Sequence, residues 1–149
     1  MILFKNKYIP IGDFDCMNIL GILFIKPTTV LHDFIINHEK IHTYQQYELL
    51  IVSLLPTLLI SYITNNYLWL LLTIPLPIVL YIILWIVEII LPPYDTAYRD
   101  SVFEKEAYDN ETNLNYLKNR KPFAWIKYFK LKHLVLFIII ISIIILLTI

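Results

Sequence analysis

The chain has little charge, almost no glycine and a single cysteine. Only 16% of its 149 residues are charged, 58% are hydrophobic, and twelve Lys and Arg balance twelve Asp and Glu. A soluble domain is far less apolar, so we predict a membrane protein that forms one domain, residues 1–149. Zero net charge removes the basic surface that favours nucleic acid, so we expect membrane lipids and no nucleic-acid partner. Cys16 alone excludes an internal disulfide.

Three apolar runs approach or exceed the length needed to cross a bilayer. They occupy residues 49–63, 67–91 and 133–149. All twelve Lys and Arg lie outside these runs, in residues 1–48 and 92–132. By the positive-inside rule, both of those segments are cytoplasmic. We therefore predict a mainly α-helical, polytopic membrane protein with about three transmembrane helices.

Two short apolar segments precede the first run. Residues 8–11 and 17–25 are too short to span a bilayer, and the Gly-Asp-Phe-Asp sequence at 12–15 separates them like a turn. We predict that they form a short N-terminal β-hairpin. A buried helix over residues 17–25 is the alternative.

One stretch carries a metal-binding pattern. Residues 37–42 read Asn-His-Glu-Lys-Ile-His, which places H-E-x-x-H in a segment predicted to be helical. Residues four apart share one face of a helix, so His38 and His42 can hold a single ion while Glu39 reaches a water beside it. Composition predicts only about 0.004 chance matches to this pattern. Because neutral imidazole suits Zn²⁺, we predict a zinc site with Glu39 as the catalytic base.

A catalytic zinc needs a third protein ligand, and the polar segment after the second run offers two carboxylates. Glu104 and Glu106 flank the apolar face of a predicted helix at similar angles, so the spacing leaves both open. Two predicted spans separate them from His42, which returns the chain to the same side of the membrane. A site shared with the two histidines is therefore topologically allowed.

The order H-E-x-x-H, two spans and then Glu104-Lys105-Glu106-Ala107 resembles the gluzincin metallopeptidases. The likeness is to CAAX prenyl endopeptidases and related bacterial membrane proteases, in which H-E-x-x-H is followed by E-x-x-A-D. It implies that Glu104 is the third zinc ligand and that membrane-proximal proteins or peptides are the substrates. It also implies a bacterial inner-membrane location with the site facing the cytoplasm. The chain is also similar to a group of small bacterial membrane proteins, a likeness that supplies no substrate.

The sequence departs from the family pattern at Tyr108, where the family has an Asp that supports a ligand histidine. A ligand imidazole normally donates its second N–H to some acceptor, so a substitute is expected. The candidates are Asp109, Asp100 and Asn37. An oxyanion donor is also expected, and its candidates are Arg99, Tyr98, Tyr108 and His32.

The region N-terminal to the motif has two interpretations. In many zincins a strand beside the motif helix offers its edge to an extended substrate. A hairpin that only covers the helix is an equally good interpretation. Near the other end of the chain, basic and aromatic residues alternate over residues 121–130, which is typical of a segment bound to the membrane surface.

Two acidic residues lie in or beside the apolar runs. Glu88 is inside the second run and is either functional or paired with a basic residue, whereas we favour a paired role for Glu48. Glu88 or Glu106 as a fourth ligand would instead indicate a non-enzymatic integral membrane protein with a structural or sensory metal site. That is the alternative function. A transporter subunit ranks last because the runs contain few polar residues.

Overall fold

A computed structural model of the protein describes residues 1–10, 12, 14–90 and 98–148. The chain is mainly helical, with a small sheet near its N-terminus. Ile11, Leu91 and Ile149, each of which ends a predicted element, lie outside the described residues, as do 92–97 of the predicted polar segment. The elements are β1 Ile2–Lys5, β2 Cys16–Ile19, β3 Ile22–Ile25, α1 Asp33–Thr64, a 3-10 helix Tyr67–Thr73, α2 Pro75–Ile90, α3 Val102–Asn110, α4 Tyr116–Asn119, a 3-10 helix Ala124–Tyr128 and α5 Leu131–Thr148.

A β-hairpin is present, but not where the sequence predicted it. Strands β2 and β3 pair antiparallel within the second predicted segment, and β1 pairs parallel with β3. The predicted pairing of residues 8–11 with 17–25 is therefore wrong, and so is the helical alternative. The turn is Leu20-Gly21, with φ of 50° and 84°. A two-residue hairpin turn of this type requires positive φ at both positions, which Gly21 adopts without steric cost.

Helix α1 continues without a break from the H-E-x-x-H motif into the first apolar run. It ends at Asn65, which has a left-handed φ of 49°. Three small polar residues spaced four apart are buried on one face of this helix: Ser53, Thr57 and Ser61. Ser53 Oγ donates to the carbonyl of Thr73 (2.8 Å), and the hydroxyls of Thr57 and Thr73 are 2.8 Å apart. These contacts hold the following 3-10 helix close against α1.

The second predicted span is not one continuous helix. The 3-10 helix Tyr67–Thr73 and α2 meet at an angle of 43°. Pro75 is the first residue of α2, a position where proline is favoured because its missing N–H would have no partner there. Within the described ranges, α1 is long and apolar enough to cross a membrane, and the bent pair makes a second crossing if it is one span. A third crossing by α5 stays a prediction.

Helix α3 packs against the first half of α1, and aromatic side chains fill the space beside it. Phe103 stacks on Tyr81 of α2 (ring centroids 5.6 Å apart) and contacts Trp125 (5.2 Å). Ala107 is fully buried, and its small side chain allows the backbones of α3 and its neighbours to approach closely. Away from this core, large apolar side chains such as Leu55 and Leu59 of α1 are exposed. Such a surface is typical of contact with lipid.

We expect Gly21→Ala to destabilise the fold more than Gly12→Ala. Both glycines have positive φ, so alanine at either position costs about 1 kcal/mol of backbone strain. A Cβ at Gly21 would also lie 3.2 Å from Tyr47 Oη and 3.3 Å from Thr43 Cγ2 of α1, whereas one at Gly12 would meet nothing within 4 Å. The loss at Gly21 should reach about 2 kcal/mol. Thermal unfolding of both variants in detergent measures this, and equal losses would show that the hairpin turn does not pack on α1.

Candidate metal centre

Two imidazoles and a carboxylate converge where α1 meets α3. The Nε2 atoms of His38 and His42 are 3.0 Å apart. Glu104 Oε2 lies 3.3 Å from His38 Nε2, and Glu104 Oε1 lies 3.4 Å from His42 Nε2. These are the three residues that the sequence and the family resemblance predicted as metal ligands. In the part of the chain that the structure describes, their ligand atoms lie close enough together to hold one metal ion.

The outer nitrogens of both rings face oxygen acceptors. His38 Nδ1 lies 2.9 Å from Glu111 Oε2, and His42 Nδ1 lies 2.8 Å from Gln45 Oε1. Because a carboxylate and an amide oxygen accept hydrogen bonds, and both lie closer to Nδ1 than Glu104 lies to Nε2, the geometry favours a proton on each Nδ1. In the neutral rings, both Nε2 atoms therefore present lone pairs to the shared space, where Glu104 adds further lone pairs.

This donor set fits Zn²⁺. Ligand atoms about 2.0–2.1 Å from a tetrahedral zinc lie about 3.3 Å from one another, which matches the separations of 3.0 to 3.4 Å between the three side chains. Glu104 Oε2 is buried and accepts no hydrogen bond in the structure. A buried carboxylate oxygen of this kind needs a positive partner.

The electrostatics of the cluster also favour a cation. Burial alone would lower the pKa of His42, but the Glu104 carboxylate outweighs it, with help from Glu39 and Gln45, and raises that pKa to about 9. Burial opposes ionisation of Glu104, yet the neighbouring imidazoles hold its pKa far below the usual range. When no metal ion is bound, a proton on His42 therefore supplies the positive charge.

Glu39, the predicted base, is buried beside this cluster with 8% of its surface exposed. Burial raises the pKa of its carboxyl, Glu104 raises it further, and the two histidines oppose the shift. Strand β2 lies alongside, because Asn18 Nδ2 donates to the carbonyl of Glu39 and to Thr43 Oγ1. Burial, Glu39 and Asp15 raise the pKa of the Cys16 thiol in the same strand to about 11.

Two tyrosines hold the Glu104 carboxylate. The hydroxyls of Tyr81 and Tyr98 each donate to Glu104 Oε1 at 2.9 Å. Tyr98 was one of the four predicted oxyanion donors, and it is the one of the four whose hydroxyl contacts Glu104. The others interact differently: the Tyr108 ring lies edge-on to His38, the guanidinium of Arg99 lies over the Tyr108 ring, and His32 stacks on Phe34.

The competing carboxylates are engaged elsewhere. Glu106 accepts hydrogen bonds from Arg120, Tyr116 and Gln45. Glu48 pairs with the same Arg120, as favoured from the sequence. Glu88 is fully buried and pairs with Lys132 and with His133 Nε2 (2.7 Å), which joins α2 to α5. Of the two carboxylates that helix spacing left open, Glu104 is therefore the one that lies with the two histidines.

The acceptors behind the histidines differ from the predicted ones. Asp109 pairs with Lys105, Asp100 lies 3.7 Å from Lys130, and Asn37 donates to the carbonyls of Asn110, Glu111 and Asn113 at the end of α3. Glu111 and Gln45, which the sequence analysis missed, take the role. Gln45 follows His42 by three residues on one helix, a spacing that brings side chains together, and this signal could have identified it.

We expect Glu104→Gln and Glu106→Gln to affect different properties, zinc affinity and stability respectively. Glu104→Gln removes a charged ligand. Four-ligand zinc sites derive about 10–16 kcal/mol from binding, or about 2.5–4 kcal/mol per ligand, so affinity for Zn²⁺ should fall about 100-fold. Glu106→Gln removes a buried partner of Arg120, so the free energy of unfolding should fall by about 3 kcal/mol. Competitive zinc titration and chemical unfolding of both variants measure the two effects. The ligand assignment is wrong if Glu106→Gln loses more zinc affinity than Glu104→Gln.

Binding of a divalent ion should release a proton. Below the raised pKa of about 9, the His42 ring is protonated and must lose its proton before Nε2 can act as a ligand. Affinity for Zn²⁺ should therefore rise about tenfold per pH unit between about pH 6 and pH 8 and level off above pH 9. Calorimetry in two buffers of different ionisation enthalpy counts the proton directly. An affinity independent of pH in that range would contradict the proton on His42.

No protein-family model, no curated protein and no solved structure matches this chain. The relation to the gluzincins therefore stays a prediction from the motif residues.

Proposed function

We propose that the chain is a zinc-dependent membrane metallopeptidase that hydrolyses peptide bonds at the cytoplasmic membrane surface. One observation carries the proposal: the ligand atoms of His38, His42 and Glu104 lie within 4.8 Å of one another, and the buried carboxylate of Glu39 is near enough to interact electrostatically with all three residues. Three protein ligands with a neighbouring acid are what a hydrolytic zinc site requires, because the fourth position remains for water or substrate.

In this proposal, His38, His42 and Glu104 hold Zn²⁺. The ion supplies a Lewis acid that polarises the scissile carbonyl and makes water acidic enough to be deprotonated near neutral pH. Glu39 accepts that proton on its carboxylate and later donates it to the leaving amine. Burial raises the pKa of the Glu39 carboxyl, which favours the proton that this side chain carries between the two steps.

The tyrosines around Glu104 orient the ligand carboxylate. Because Tyr81 and Tyr98 both donate to Oε1, they fix the plane of the carboxylate and leave Oε2 toward His38. Among the four predicted oxyanion donors, Tyr98 is the one whose hydroxyl contacts Glu104, and it would have to release Glu104 before it could donate to the oxygen of an attacked carbonyl.

The position of the motif within α1, just before the first apolar run, supports a membrane-surface site. At about 1.5 Å per residue, the seven steps from His42 to Leu49 put the site about 10 Å from the first apolar run. Three spans, with residues 1–48 and 92–132 on the cytoplasmic side, would give both halves of the site a common aqueous face. Membrane-proximal segments of other proteins are then the natural substrates, and lipids surround the exposed apolar side chains of α1.

A structural or sensory metal site is the competing function, and it would need a fourth protein ligand. The two predicted candidates, Glu106 and Glu88, are committed to Arg120 and to Lys132 with His133. The geometry therefore favours an open coordination position over a closed one.

We expect Glu39→Gln to abolish hydrolysis while leaving zinc binding near the level of the wild type. Glutamine keeps the size of the side chain but cannot accept the proton, so the rate should fall by about 100-fold or more. Cleavage of a mixture of fluorescence-quenched peptides in detergent micelles, with zinc content measured on the same sample, tests this. Glu104→Gln is the control that should lose both. If the wild type binds zinc but shows no more cleavage than Glu39→Gln, the non-enzymatic alternative is favoured.

A further inference from the structure

Gln45 connects a metal-ligand candidate to a buried ion network. It is 1% exposed and lies on α1, three residues after His42. Its side-chain nitrogen donates to the carbonyl of Phe103 (3.0 Å) and to Glu106 Oε2 (2.9 Å). Its side-chain oxygen lies 2.8 Å from His42 Nδ1. All the polar atoms of this amide are therefore used.

The two acceptors fix which way the amide points. A backbone carbonyl offers only lone pairs, and so does a carboxylate paired with a guanidinium, so the nitrogen of Gln45 must face Phe103 and Glu106. A flipped amide would bring its oxygen against two acceptors and its nitrogen against the ring. The oxygen of Gln45 is thereby held toward His42, and it can only accept.

The orientation of Gln45 depends in turn on Glu106. Glu106 Oε1 accepts from Arg120 Nε and from Tyr116 (both 2.7 Å), and Glu106 Oε2 accepts from Arg120 Nη2 (3.2 Å) as well as from Gln45. The other side of the guanidinium pairs with Glu48 (2.5 Å and 3.0 Å). The side chains of Glu106, Arg120 and Glu48, all buried or nearly so, thus support the orientation of the Gln45 amide.

We infer that Gln45 is the positioning residue that holds His42 in its Nδ1–H tautomer, and that the Glu106–Arg120–Glu48 ion network sets the orientation of Gln45. In this tautomer Nε2 carries the lone pair that faces His38 and Glu104. His38 has a partly exposed acceptor, Glu111, in the equivalent role, so only the His42 side of the site is tied to the interior. The expected effect of Gln45 on zinc affinity rests on the proposed function, whereas its effect on the tautomer of the metal-free His42 ring does not.

The first measurement is the tautomer of His42 without metal. Protein with ¹⁵N-labelled histidine, in detergent and metal-free, is examined by NMR at a pH high enough that the ¹⁵N shifts of His42 no longer change, so that the ring is neutral. The signal of His42 among the four histidines is assigned by its loss in His42→Gln. We expect Nδ1–H in the wild type and a mixture of tautomers in Gln45→Leu. A wild-type ring that carries its proton on Nε2 would overturn the inference.

The second measurement is the affinity for zinc by competitive titration. Loss of the acceptor should raise the dissociation constant of Gln45→Leu about 10- to 100-fold. Gln46→Leu is the matched control, because Gln46 is the adjacent glutamine and bonds to Asn18 and Leu20 of the hairpin. Its dissociation constant should not change. A Gln45→Leu protein with the wild-type tautomer and affinity would overturn the inference.

Glu106→Gln tests the role of Glu106. An amide at position 106 has one acceptor oxygen where the carboxylate has two, and Tyr116 and Arg120 Nε donate to that oxygen, so the new amide nitrogen faces the side-chain nitrogen of Gln45. We expect the Gln45 amide to lose its fixed orientation and the neutral His42 ring to show a mixture of tautomers. A folded Glu106→Gln protein whose neutral His42 ring carries its proton on Nδ1 alone would overturn the role of Glu106. This test does not depend on whether Gln45→Leu folds.

The two proposals fail separately. A wild-type protein with the Nδ1–H tautomer that binds no zinc would refute the proposed function and leave the positioning role of Gln45 intact. A wild-type protein that binds zinc tightly but has the Nε2–H tautomer when metal-free would refute the positioning role of Gln45 and leave the proposed function intact.

Discussion

Arg120 lies between two carboxylates, and the packing of α3 on α1 depends on this ion triad. Its side chain is 2% exposed and pairs with Glu48 of α1 and Glu106 of α3. A buried carboxylate that loses its partner costs several kcal/mol, so the two helices can meet only in the register that puts both acids around one guanidinium. Glu104 precedes Glu106 by two residues and therefore projects from nearly the opposite side of α3. The register that satisfies Arg120 is thus the register that brings Glu104 to the histidines.

The triad also shows why so much charge can be buried here. Glu48 accepts further hydrogen bonds from the backbone N–H of Phe123 and from Trp125 Nε1, and Glu106 accepts them from Tyr116 and Gln45. Each acid therefore replaces its lost hydration with several donors. These contacts also fasten the 3-10 helix Ala124–Tyr128 to α1, so the polar segment between α3 and α5 is folded onto the same network.

The candidate metal centre has the opposite electrostatic character. Three carboxylates, Glu39, Glu104 and Glu111, surround two imidazoles, and no guanidinium or ammonium contacts Glu104 among the described residues. Without a metal ion, a proton shared by His42 and its neighbours balances part of this charge. A divalent cation at this place would balance more of that charge and would use the lone pairs of the two Nε2 atoms. The ion triad and the histidine cluster thus lie on two sides of α3: a guanidinium pairs with both acids of the triad, whereas no guanidinium or ammonium of the described residues contacts Glu104 in the cluster.

The sequence by itself determined the features that depend on a single helix or on composition. The pairing of His38 with His42 needs only helical spacing, and a helix apolar enough to cross a membrane needs only a long run of hydrophobic residues, so both were predictable. The family resemblance added Glu104, which the helix angles of Glu104 and Glu106 could not distinguish.

Tertiary structure decided whatever depends on how elements meet. It separated the two acids, because Arg120 occupies the side of α3 that Glu106 faces. It assigned Gln45 and Glu111 to the outer nitrogens of the histidines, since those hydrogen bonds exist only once α1 and the end of α3 are in contact. It also moved the hairpin turn to Gly21, where a positive φ coincides with a close approach to Thr43 and Tyr47. Local spacing carries no information about such contacts, because they are set by the register and distance between packed elements.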